Sequence, residues 1–142
     1  MKSVPLILHD HRADIWTRWA EELRDVVDDD YRELIASQVG ERVVRSITED
    51  LVACSEAEPY QLPALLRAAG ERVAAEAASR RSLGFEALDV MRALQALRGV
   101  LLDVLVDALA SDEMPSFADT LYQFKGVDAY LDALVRALFK LC

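Results

Sequence analysis

Towards the C-terminus, Phe117, Phe124, Leu131 and Leu138 recur every seven residues, and Thr120, Val127, Leu134 and Leu141 recur three positions behind them. Alternating steps of three and four residues put these side chains on one face of an α-helix and on no single face of a strand. Leu121 and Val135 widen the stripe towards the breadth of a core-facing helix. The pattern predicts one long helix over 117–141, either docked on its own domain or paired coiled-coil fashion with a partner. It reaches the last residue without a terminal cap, the pattern expected of a helix that continues or meets another chain.

The same periodicity marks four earlier helices. The first covers 5–27, with Pro5 in its opening turn. Asp28, Asp29 and Asp30 end it, and Asp30 with Glu33 forms a capping-box pattern for a second helix over 31–54. A linker at 55–59 leads to a third, alanine-rich helix over 61–80. A turn at 81–84 precedes a fourth over 85–110. The chain breaks again at 111–115, and Ser116 with Asp119 caps the fifth. No stretch alternates with period two, and no repeat or low-complexity tract is present. Long helices on short connections predict an all-α fold, a five-helix antiparallel bundle, with 1–142 as a single domain.

Composition agrees. The chain has 142 residues, 53% of them hydrophobic, with only 5 glycines and 4 prolines. A chain of this size buries about 70% of its unfolded surface and needs no disulfide or metal to hold a core. The net charge of −9 repels phosphate backbones and anionic lipid, which argues against nucleic-acid and membrane partners. Cys54 and Cys142 form no C-x-x-C pair or framework, as expected in a reducing cytoplasm. The apolar run at 4–8 is too short for a signal peptide, and the run at 100–110 is cut by Asp103 and Asp107.

The densest chemistry lies in "HDHRADIWTRW", residues 9–19. On a helix, His9 and His11 point about 200° apart and do not close on one metal ion. Leu8, Ile15, Trp16, Trp19, Leu23 and Val26 share an apolar arc, and Arg12 falls near its middle. Arg98 likewise falls among Leu94, Leu97, Leu101, Leu102 and Leu105. Asp128 lies among Phe124, Leu131 and Val135, and Asp50 beside Val43 and Ile47. An unpaired buried charge costs several kcal/mol, so inward charges must find partners. Arg98 with Asp128 or Asp50 is therefore a candidate buried ion pair, with Arg12 available to the other carboxylate. A second reading keeps Arg12, Arg98, Trp16 and Trp19 as the lining of a pocket for an anionic ligand.

Known catalytic patterns are missing. There is no glycine-rich phosphate loop, no H-E-x-x-H and no E-x-x-H pair. The third to fifth helices carry no histidine for phosphotransfer or for proximal haem ligation. Glu21-Glu22 and the aspartate run at 28–30 read as solvated helix ends. No enzyme activity, cofactor or metal is expected.

"ADIWTRWAEEL" (13–23) resembles the opening helix of the N-terminal domain of RsbT co-antagonist proteins of the RsbRD type. "RRSLGFEALDVMRALQALRGVLLDVL" (80–105) is similar to that family's later signature of a glycine turn, an amphipathic helix and L-x-x-L-R followed by aliphatics. The positions that carry the likeness are Trp19, Gly84, Leu94, Leu97 and Arg98. The acidic break at 28–30 and the closing helix "FKGVDAYLDALVRALFK" also fit, so the resemblance covers about 6–140. It implies an all-α bacterial input domain, globin-like, haem-free and dimeric, placed ahead of a STAS or histidine kinase output. The expected function is a non-catalytic sensor or regulatory domain in cytoplasmic stress signalling, homodimeric through the fourth and fifth helices. Two alternatives stay open: a small-molecule or cofactor carrier, and a purely structural dimerisation module.

Overall fold

Seven α-helices and one 3-10 turn build the computed structural model, which describes residues 3–111 and 116–141. They are α1 Val4–Asp10, α2 Arg12–Glu22, α3 Asp29–Ala36, α4 Gln38–Glu56, a 3-10 turn at Pro59–Gln61, α5 Leu62–Arg81, α6 Ala87–Ala110 and α7 Phe117–Phe139. The all-α class is as predicted from periodicity. The helix count differs because each of the first two expected helices divides in two. Most of the break read at 111–115 lies outside the described residues, as does Cys142.

The first division is a kink at His11. Its backbone, at φ −95° and ψ 16°, leaves the helical range, and beside it the Arg12 guanidinium donates to the carbonyl of His9 at 2.9 Å. The second is a true break at Ser37, whose backbone is extended. The Ser37 hydroxyl donates to Leu34 O at 2.5 Å and accepts from Val39 N at 3.2 Å, so it ends α3 and caps α4. The turn is so tight that a Cβ on Gly40 would meet the carbonyl oxygen of Ile35 at 1.7 Å, so only glycine fits. That carbonyl accepts the Trp16 indole N–H at 2.7 Å. At the start of α3 the N-cap is Asp28 rather than Asp30, and it makes no side-chain cap bond. Ser116 does cap α7, accepting from Asp119 N at 3.2 Å.

One core joins all the helices. Ile7, Leu8, Ile15, Leu23, Leu97, Leu101, Leu131 and Leu134 are among its fully buried side chains. Trp19 is also buried, and its indole N–H donates to the carbonyl of Ala93 in α6 at 2.7 Å. His9 ties α1 to α4 through a 2.9 Å bond between Nδ1 and the buried Thr48 hydroxyl. The heptad stripe of α7 divides along its length. Val127, Leu131, Leu134 and Leu138 are buried in this domain, whereas Phe117 and Leu121 are exposed. No described helix is long and apolar enough to cross a membrane.

Small residues place α5. Ala69, Gly70 and Ala77 are buried, and a Cβ on Gly70 would come within 3.3 Å of the Ala137 side chain of α7. This lets α5 press closely on α7 while scarcely touching α4, its neighbour in sequence. The lean opens a groove between α4 and α5.

Candidate functional site

The groove has a volume of about 630 Å³ and takes its walls from α4 and α5 and its floor from α7. Val43, Ile47, Val73 and Leu134 form an apolar waist. A short connection makes α4 and α5 an antiparallel hairpin. Arg42 therefore lies towards the Glu76 and Arg80 end, and Asp50 opposite Arg72 at the other.

A three-residue relay closes the Asp50 end. Tyr130 donates its hydroxyl to Asp50 Oδ2 at 2.6 Å, and Arg72 Nη2 reaches the same oxygen at 2.5 Å. Burial, then the bond to Asp50 and its charge, push the Tyr130 phenol up from its ordinary range. Neighbouring Cys54 is half-buried, and burial with the Asp50 charge raises its thiol as well. Both groups are thus held protonated at neutral pH.

At the other end Arg80 is buried and pairs with Glu76 at 2.5 Å. It also faces Tyr31, whose ring meets Phe85 edge-on with centroids 4.9 Å apart. Burial pushes the Tyr31 phenol up to about 12, against the opposing pull of Arg80. Each groove carboxylate is accordingly occupied by an arginine. Arg42 differs: it is exposed, and among the described residues it pairs with no carboxylate. Its helical neighbours at three and four positions are Gln38, Val39, Arg45 and Ser46, none of them acidic.

Of the residues singled out from sequence, Asp50 alone lines this groove. It bonds Arg72 and Tyr130, not Arg98 or Arg12. Arg12 does not point inward. It is the first residue of α2, is exposed, and folds back onto His9. Trp16 and Trp19 lie on α2, where their indoles hold the α3 terminus and α6. Arg98 does reach Asp128, linking α6 to α7, but the side chains are 50% and 41% exposed, so this is not a buried pair. The carboxylate oxygen facing Arg98 is itself screened from solvent and has no well-aligned hydrogen bond, leaving the guanidinium charge to offset it. Sequence reasoning missed Arg42, Arg72 and Tyr130. The one available signal was Tyr130 beside Leu131 and Leu134, since a tyrosine on a core face needs a partner for its hydroxyl.

A second feature lies on the opposite side of α7. Arg98 opposite Asp128 sets the register of the α6–α7 hairpin, placing Val106 level with Leu121 and Leu109 level with Phe117. These four and Leu102 are exposed, Val106 by 61% and Phe117 by 67%. They are exposed apolar side chains on two helices that pack on each other, and this register places them on one apolar face.

Fold and site together define an all-α domain with a charged-ended groove on one side and an apolar two-helix face on another. No protein-family model, curated protein or solved structure matches the chain.

Proposed function

We propose that the chain is a non-catalytic signalling input domain of the RsbT co-antagonist N-terminal type, with globin-like, haem-free helix packing. In this reading it takes a signal in the α4–α5 groove and forms a homodimer through α6 and α7. The carrying observation is that α7 serves both features: Tyr130 and Leu134 floor the groove, and Phe117 and Leu121 stand on the apolar face. A shift of one rigid helix then alters both at once, and a downstream STAS or kinase-type module reads the dimer.

The groove chemistry suits binding: its two carboxylates are both engaged by arginines, and an apolar waist lies between them. A second copy suits the α6–α7 face because a two-fold dimer buries the same patch on both subunits. The Arg98–Asp128 pair at its edge supplies both charges for a polar rim.

Sedimentation equilibrium of the wild type and Val106→Glu tests this reading. The wild type should be dimeric at micromolar concentration and the variant monomeric with an unchanged helical spectrum. A monomeric wild type, or a variant that still dimerises, overturns it. The carrier alternative, favoured by the groove alone, has no need of the dimer.

A further inference from the structure

We infer that the α4–α5 groove binds a small amphipathic carboxylic acid, its chain along the apolar waist and its carboxylate on Arg42. The inference rests on reading the groove as the domain's ligand-taking side. It adds the chemical class of the ligand.

Three observations carry it. The first is size and lining: about 630 Å³, with an apolar waist between polar ends, lies within the usual range for small-molecule sites. The second is charge. Arg42, Arg72 and Arg80 face two carboxylates, Asp50 and Glu76, and both carboxylates are already held. The groove thus keeps one cation in excess in a chain of net charge −9, and that cation is Arg42. A guanidinium presents a planar fork matched to a carboxylate and is always charged. The third is length. Arg42 and Asp50 are eight residues apart on α4. That spans about 12 Å of helix, room for an extended chain of roughly ten carbons.

The far end disfavours a second anion, because Asp50 is there with its negative charge. It also disfavours a bare inorganic anion, which makes no use of Val43, Ile47 and Val73. One acidic head and one apolar tail is the arrangement the groove matches.

The test is a titration of the isotope-labelled 142-residue chain with decanoate below its micelle threshold, followed by NMR, with 1-decanol as the neutral comparison. Arg42→Glu reverses the unpaired charge at an exposed position. Ser46→Trp fills the groove from its exposed rim. Saturable shifts at Val43, Ile47 and Val73 are expected. Decanol and Arg42→Glu should each bind at least tenfold more weakly, and Ser46→Trp should abolish the shifts. The inference is overturned if groove resonances do not saturate, if decanol binds as tightly as decanoate, or if Arg42→Glu binds unchanged. Absence of groove binding by a wild type that sediments as a dimer overturns the ligand class alone. A monomeric wild type that binds decanoate overturns the dimeric reading and leaves the ligand class standing.

Discussion

Tyr130 on α7 donates its hydroxyl to Asp50 on α4 across 2.6 Å, joining two helices whose residues lie 80 positions apart in sequence. The two ends of this bond are not equivalent. Tyr130→Phe removes the donor but leaves Asp50 with Arg72, so a loss of about 1–1.5 kcal/mol is expected. Asp50→Ala leaves a buried phenol hydroxyl without an acceptor and should cost about 2–3 kcal/mol. The double variant should lose less than the sum, because each single change already breaks the shared bond. Urea unfolding of the four proteins measures the cycle. Strict additivity contradicts the bond.

Alkaline pH should destabilise the fold. Tyr31 is pushed up to about 12 and Tyr130 is also raised, both chiefly by burial, from an ordinary value of 10.0. Above pH 10 the unfolded chain releases these protons while the folded chain retains them. Stability that is intact below that value is therefore lost as pH rises towards the folded values, by up to about 1.4 kcal/mol per pH unit for each tyrosine. Thermal melts from pH 8 to 11 should be flat at first and fall beyond about pH 10. Replacing Tyr31 and Tyr130 with phenylalanine should flatten the decline. A decline of equal slope in that double variant counts against the assignment.

Gly40→Ala should be among the most damaging single-methyl additions in the protein. The new Cβ would stand 1.7 Å from Ile35 O, a backbone atom, so the α3–α4 turn itself must open. That movement also pulls Ile35 O from the Trp16 indole. A loss above about 3 kcal/mol is expected. Gly99→Ala, with nothing within 4 Å of the added group, should be neutral or stabilising. Chemical denaturation of the two variants side by side checks the contrast.

Arg98→Leu should cost about 1–2 kcal/mol: both side chains of the ion pair are substantially exposed, but the screened Asp128 oxygen loses the charge that offsets it. A loss of several kcal/mol in a denaturation curve would restore the buried-pair interpretation.

Much of the helical layout was legible in the sequence because burial dictates periodicity. Leu131, Leu134 and Leu138 could be assigned to one face, and they are buried together. The kink at His11 and the break at Ser37 were not legible, since neither position carries proline or glycine. Ser37 with Gly40 three residues on was the available hint. The site was less readable than the fold. A helical wheel gives direction only within an unbroken helix, so Arg12, at a helix start, was assigned inward and is exposed. The wheel also gives no account of which helices stand apart. The groove arises because Ala69, Gly70 and Ala77 draw α5 onto α7, a relation between elements distant in sequence.

If α7 couples the α6–α7 face to the α4–α5 groove, a change on one side must be felt on the other. The most direct measurement compares methyl NMR spectra of the wild type and Val106→Glu with no ligand present. Val106→Glu, by opening the proposed dimer, should shift Leu121 and also Leu134 and Ile47 in the groove. Shifts confined to Leu102, Leu109 and Leu121, with the groove methyls unmoved, would contradict it.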